Sequence, residues 1–169
     1  MKKYIICLIL AISCSLVASA QIQREFFGCK LGVCTETELL NKLKAQNIVY
    51  KKIEIPQVTS YKVKNSQLMF GGKKWPSISF VFKDGTLAGV DFKATENDLP
   101  VDELKARALQ LMDKYDAFFD KHSSSQNDIL IRMSYWDGKT FLKVDYGINV
   151  LTEVLELSAY FASKREWYE

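Results

Sequence analysis

Two Asp-Gly pairs, each set between runs of alternating apolar residues, constrain this chain most. Ile78, Phe80 and Phe82 alternate before Asp84-Gly85, and Ala88, Val90 and Phe92 alternate after it. Ile129, Ile131, Met133 and Tyr135 alternate before Asp137-Gly138, and Leu142, Val144 and Tyr146 return. A period of two puts one face of a strand in a core, and Asp-Gly supplies the positive φ angles of a tight hairpin turn. The two stretches align once Lys139 is treated as an insertion. Each also follows a helical segment. They read either as two copies of a helix-then-meander unit, over 27–93 and 98–162, or as convergence on one turn chemistry.

Two helices accompany this sheet. Thr35 followed by Glu38 is a capping box, with Cys34 and Leu39 at the staple positions. Leu39, Leu40 and Leu43 form a narrow stripe, and the pattern predicts a helix over 36–46. Val101, Leu104, Ala108, Leu111, Tyr115 and Phe118 recur at steps of three and four, and Pro100 suits the first turn. A loop is expected over His122-Ser-Ser-Ser-Gln-Asn. Ile48 to Ile55 reads as strand sequence with a bulge or a break near Lys51-Lys52, ended by Pro56. Tyr61 to Phe70 reads as one more strand, stopped by Gly71-Gly72. Residues 151–162 fit a strand and a helix almost equally; the preceding sheet favours strand. The fold class is α+β, an antiparallel sheet with helices packed on one face.

The first twenty residues carry an address. Lys2 and Lys3 precede an apolar run from Tyr4 to Val17, and Ala18-Ser19-Ala20 is a signal-peptidase site. The run is too short to span a bilayer, which takes about 20 apolar residues. Ala11-Ile12-Ser13-Cys14 resembles a lipobox only loosely, so a lipid anchor at Cys14 is the weaker reading. The expectation is a signal peptide over 1–20 and a single exported domain over 21–169, periplasmic or extracellular.

Export changes the composition. It removes two lysines and no acid from 23 basic and 20 acidic residues, so the net charge falls from +3 to +1. That balance gives no electrostatic case for nucleic acid or an anionic membrane. Cys7 and Cys14 leave, and Cys29 and Cys34 remain as an even pair in an oxidising compartment. Gly32 lets the chain turn so that the pair can bridge; buried thiols and a redox pair are the alternatives, the latter weakened by a C-x4-C spacing.

Catalytic chemistry is thinly supported. His122 is the only histidine, so His-rich zinc sites and serine triads have little material, and no G-x-S-x-G elbow is present. No cofactor motif is found. The carboxylates Asp84, Asp91, Asp98, Asp102, Glu103, Asp113, Asp116 and Asp120 leave open a small envelope hydrolase with a carboxylate pair. Trp75, before Pro76, and Trp136, beside Asp137-Gly138, are candidate surfaces for glycan stacking or for a protein partner. The alternative is that they cover the core. Trp167 and Tyr168 close the chain.

The stretch from Phe27 to Leu39, an apolar-Gly turn leading into a capped helix, resembles the opening of small exported bacterial proteins. These are the β-lactamase-inhibitor-protein-like and small outer-membrane-assembly lipoprotein families. The two cysteines flanking Gly32 depart from their pattern. The resemblance covers the first helix and the layout. It implies a non-enzymatic module that binds a protein or another envelope component through its sheet face and loops, and it transfers no functional residue.

Overall fold

The computed structural model describes residues 21–64, 67–116, 121–126 and 130–163. Residues 1–20 with Cys7 and Cys14, together with Phe118, Asp120, Ile129, Trp167 and Tyr168, lie outside the described residues.

Chain order runs β1 (Glu25–Phe26), β2 (Cys29–Lys30), α1 (Glu36–Ala45), β3 (Tyr50–Ile55), β4 (Val58–Lys64), β5 (Met69–Phe70), β6 (Lys73–Lys74), β7 (Ser77–Lys83), β8 (Thr86–Thr95), α2 (Val101–Asp116), β9 (Lys121–Gln126), β10 (Ile131–Trp136), β11 (Phe141–Asn149) and β12 (Val154–Ala162). Eight strands form one antiparallel sheet in the order β3-β4-β7-β8-β12-β11-β10-β9. Each helix is followed by four of these strands, and the two meanders run inward from opposite edges to meet at β8 and β12.

Local chemistry explains the helix starts. The Glu38 amide donates to Thr35 Oγ1 at 3.3 Å and the Thr35 amide donates to Glu38 Oε2 at 2.8 Å, completing the capping box. Leu39 and Leu43 are buried, and truncating either to alanine costs about 2–5 kcal/mol. At α2, the amides of Glu103 and Leu104 donate to the Pro100 carbonyl. The buried stripe of α2 includes Leu104, Ala108, Leu111 and Tyr115, and the helix packs on β10, β11 and β12.

The core lies between these helices and one sheet face. Its centre is aromatic: Phe70 stacks on Phe92 at 4.3 Å between ring centres, and Phe26 meets Phe161 at 4.9 Å. Within 151–162 the stretch Val154–Ala162 is strand, with β12 burying Leu157, Ala159 and Phe161 by alternation.

Four expectations are corrected. The register from Tyr50 opposite Val63 to Ile55 opposite Val58 is unbroken, so no bulge falls at Lys51-Lys52. An edge strand exposed along its whole length imposes no single phase on its apolar residues. The Tyr61–Phe70 run is two strands, β4 and β5, and Gly71-Gly72 is the turn of a small β5–β6 hairpin. The His122-Ser-Ser-Ser stretch is not a loop but β9, an edge strand paired with β10, and its polar composition hid it. Asp137-Gly138 is not a two-residue turn, because Trp136 opposes Phe141 across a four-residue loop.

The two Asp-Gly hairpins also differ in place. Asp84-Gly85 is a two-residue turn with φ of 50° and 76°, and it joins the third and fourth strands of its meander. The Asp137 loop joins the second and third of the other. The likeness between the two stretches therefore does not superpose one meander on the other.

Candidate functional site

The sheet face opposite the helices is built of residues out of phase with the core. On β8, Val90 and Phe92 point inward, which sends Gly89, Asp91 and Lys93 to the open side. On β12 the same parity exposes Glu156, Ser158 and Tyr160, and on β11 Lys143 and Asp145. The register then sets these residues side by side. Asp91 lies opposite Tyr160, Lys93 opposite Ser158, and Asp145 between Ser158 and Arg132. Together they floor a shallow depression of about 470 Å³.

Its charges balance. Lys93 Nζ lies 3.0 Å from Glu156 Oε1 and 3.7 Å from Asp91 Oδ2. Arg132 Nε donates to Asp145 Oδ2 at 3.1 Å, and Lys143 Nζ stands 3.3 Å from the same oxygen. Ser158 Oγ donates to Asp91 Oδ1 at 2.7 Å. Only 14 % of the Asp91 side chain is exposed. Burial raises its affinity for a proton above the ordinary carboxylate range, opposed by the Lys93 charge and the Ser158 hydrogen bond. Burial acts to lower the Lys93 pKa, but the Asp91 charge and the Glu156 hydrogen bond prevail and raise it.

An apolar row borders the charged strip. Val81, Gly89, Ala162, Phe141 and Trp136 succeed one another across five strands. The depression is also flanked by the β11–β12 connection, where Val150 and Leu151 are 87 % and 91 % exposed. This loop is ordered by Asn149. Its Oδ1 accepts from the Leu151 amide at 3.0 Å, and its carbonyl accepts from Thr152 and Glu153. Two large apolar side chains are thus held in solvent on a hydrogen-bonded turn.

The predicted residues scatter. Trp75 is only 3 % exposed: its indole packs against the Phe70–Phe92 pair, its Nε1 donates to the Phe70 carbonyl, and the Arg107 guanidinium stands 5.4 Å over the ring. It is a core residue and offers no stacking surface. Trp136 is half-buried on the open face. Cys29 and Cys34 form a disulfide with Cα atoms 5.2 Å apart.

Most of the carboxylates do local work. Asp84 sits in the β7–β8 turn, Asp98 accepts from the Thr95 amide and hydroxyl, Glu103 pairs with Arg107, and Asp116 accepts from the Tyr135 phenol. Among the sequence-predicted carboxylates, only Asp91 lines the depression. Among the described residues no group of three or more His, Cys, Asp or Glu side chains is arranged to hold a metal ion, and no helix is long and apolar enough to cross a membrane. The open-face partners Lys93, Glu156 and Ser158 escaped the sequence reading because they meet only through the β8–β12 register. Their one signal was charge at the out-of-phase positions of strands whose other phase is apolar.

No protein-family model, no curated protein and no solved structure matches the chain.

Proposed function

We propose that this chain is an exported, non-enzymatic module that binds a protein of the cell envelope or its surroundings through the open sheet face and the β11–β12 loop. The observation that carries the reading is the pair Val150 and Leu151, exposed on a turn that Asn149 holds in shape beside the depression. A preformed apolar knob next to a surface whose charges are already paired loses little freedom on docking and favours a partner with an apolar pocket. The signal-like segment at 1–20 and the Cys29–Cys34 bridge support an oxidising, extracytoplasmic location. The resemblance of residues 27–39 to exported binding proteins points the same way.

A photo-crosslinking residue at Leu151, expressed in the native cell, tests this. Covalent capture of one protein species is expected, and it should disappear when Val150→Asp is added. Equal capture from a probe at the exposed Val101, at the start of α2 on the helix side, would count against the loop as the docking point.

A hydrolase remains the second reading, favoured by one fact: Asp91 is a desolvated carboxyl with raised proton affinity, sharing Lys93 with Glu156. Turnover of cell-wall glycans or peptides that vanishes in Asp91→Asn would establish it in place of the binding role.

A further inference from the structure

We propose that two copies of this chain join edge to edge through β3, in the single antiparallel register that sets Ile53 against Ile53 of the second copy. This inference does not rest on the binding reading above. Strand β3 is an outer edge of the sheet and all six of its residues are exposed. Ile53 and Ile55 are 41 % and 61 % exposed, and no proline interrupts the strand.

Backbone parity fixes which groups are free. Ile55 opposes Val58 across the two-residue turn Pro56-Gln57. A two-residue turn closes on a hydrogen-bonded pair, so Ile55, Ile53 and Lys51 direct their amide groups to β4. The amides and carbonyls of Lys52 and Glu54 therefore face outward, with no strand beside them among the described residues. Pairing Ile53 with itself across a two-fold axis sets Lys52 against Glu54 of the second copy, and Glu54 against its Lys52. Each is a hydrogen-bonded pair built from outward-facing groups, which makes four backbone bonds.

Charge selects this register over its neighbours. Lys52 and Glu54 lie on the helix side of the strand and form an exposed ion pair within one chain. In the proposed register each also gains an opposite charge directly across the interface. A slip by one step sets Lys52 against Lys52 or Glu54 against Glu54, and like charges directly opposed are destabilising. On the other face, Lys51 of each copy lies across from Ile55 of the other and covers it with its aliphatic stem. Edge lysines ordinarily keep strands apart; here Glu54 cancels Lys52 in one alignment alone. The result is a continuous sixteen-stranded sheet with the two open faces on the same side.

Sedimentation equilibrium of the purified protein over a concentration series tests the proposal. A reversible dimer is expected. Glu54→Lys should weaken it at least about tenfold while circular dichroism stays unchanged. The double swap Lys52→Glu with Glu54→Lys restores the opposite charges and should restore the dimer. Ile53→Cys should give a disulfide-linked dimer on mild oxidation, because the pair on the axis has Cα atoms about 4.5 Å apart; Lys51→Cys should not. A monomer at every concentration overturns the proposal. So does a dimer indifferent to Glu54→Lys, or one that the double swap fails to restore.

Discussion

The Tyr160 phenol lies against Gly89 on the neighbouring strand, so closely that a Cβ on Gly89 would stand 2.0 Å from the Tyr160 hydroxyl oxygen and 2.4 Å from its ring carbon Cζ. Space demands glycine here, and the ring covers the gap that glycine leaves in the open face. Gly89→Ala must push the ring aside and should cost about 1–2 kcal/mol. In a Tyr160→Ala background the same change should cost much less, leaving only the 3.0 Å approach to the Phe161 carbonyl. A double-mutant cycle by urea denaturation measures the coupling, and additive costs would refute the contact.

Asp91 gives the open face a pH signature. Its folded-state proton affinity is raised, first by burial. Between the ordinary aspartate pKa of about 4 and that raised value, the folded chain holds a proton that the unfolded chain has released. Stability contributed by this site is therefore present at low pH and is lost as pH rises through that window. Asp91→Asn removes the proton exchange and should flatten this part of the stability curve. The midpoint of urea unfolding, followed across the acidic range in both proteins, is the measurement; identical slopes would show that Asp91 titrates as in the unfolded chain.

Asp137 fastens the start of the described chain. Its Oδ1 accepts from the amides of Lys139 and Thr140, and its Oδ2 accepts from the amide of buried Ile22. One carboxylate thus shapes the β10–β11 loop and anchors the N-terminal segment 115 residues away. Asp137→Ala should cost about 2–3 kcal/mol, the range for hydrogen bonds to a charged group. Asp137→Asn keeps an acceptor for the loop and loses the one for Ile22, so its cost should be smaller. Hydrogen exchange separates the two: the Ile22 amide should lose protection in both variants, the Thr140 amide only in the alanine variant.

Legibility in the sequence followed the range of the interaction. The α1 start was readable because Thr35, Glu38, Cys34 and Leu39 interact within one turn. The α2 stripe and the Asp84-Gly85 turn are local in the same way. What failed was set by distant partners. Polar β9 is a strand only because β10 lies beside it, and Trp75 looked available until Phe70, Phe92 and Arg107 closed around it. The same Asp-Gly pair gave a tight turn at Asp84 and a wider loop at Asp137, where the side chain was drawn to Ile22. The charged strip was half legible: Asp91 stood out as a carboxylate out of phase with Val90 and Phe92, but nothing local brought Lys93, Glu156 and Ser158 to meet it.

The Cys29–Cys34 bridge closes a six-residue ring whose backbone is stitched to the start of β8: the Gly32 amide donates to the Leu87 carbonyl at 2.7 Å, and the Leu87 amide to the Cys34 carbonyl at 2.8 Å. Both cysteines are buried. A ring this short constrains little of the unfolded chain, so replacing both cysteines with alanine should cost about 2 kcal/mol. Circular dichroism should keep its strand signal, since the eight-stranded sheet is held by its own ladders and by the wider core around Phe92. The bridge also fixes the entry to α1, because Cys34 precedes the cap residue Thr35. Thr35→Ala alone should cost about 1 kcal/mol. Once the bridge is gone the freed chain can re-form the cap region differently, so the combined variant should lose less than the sum. Intact mass before and after reduction, rising by two hydrogens, verifies the starting state. Strict additivity of the denaturation energies would show that the bridge and the cap act independently.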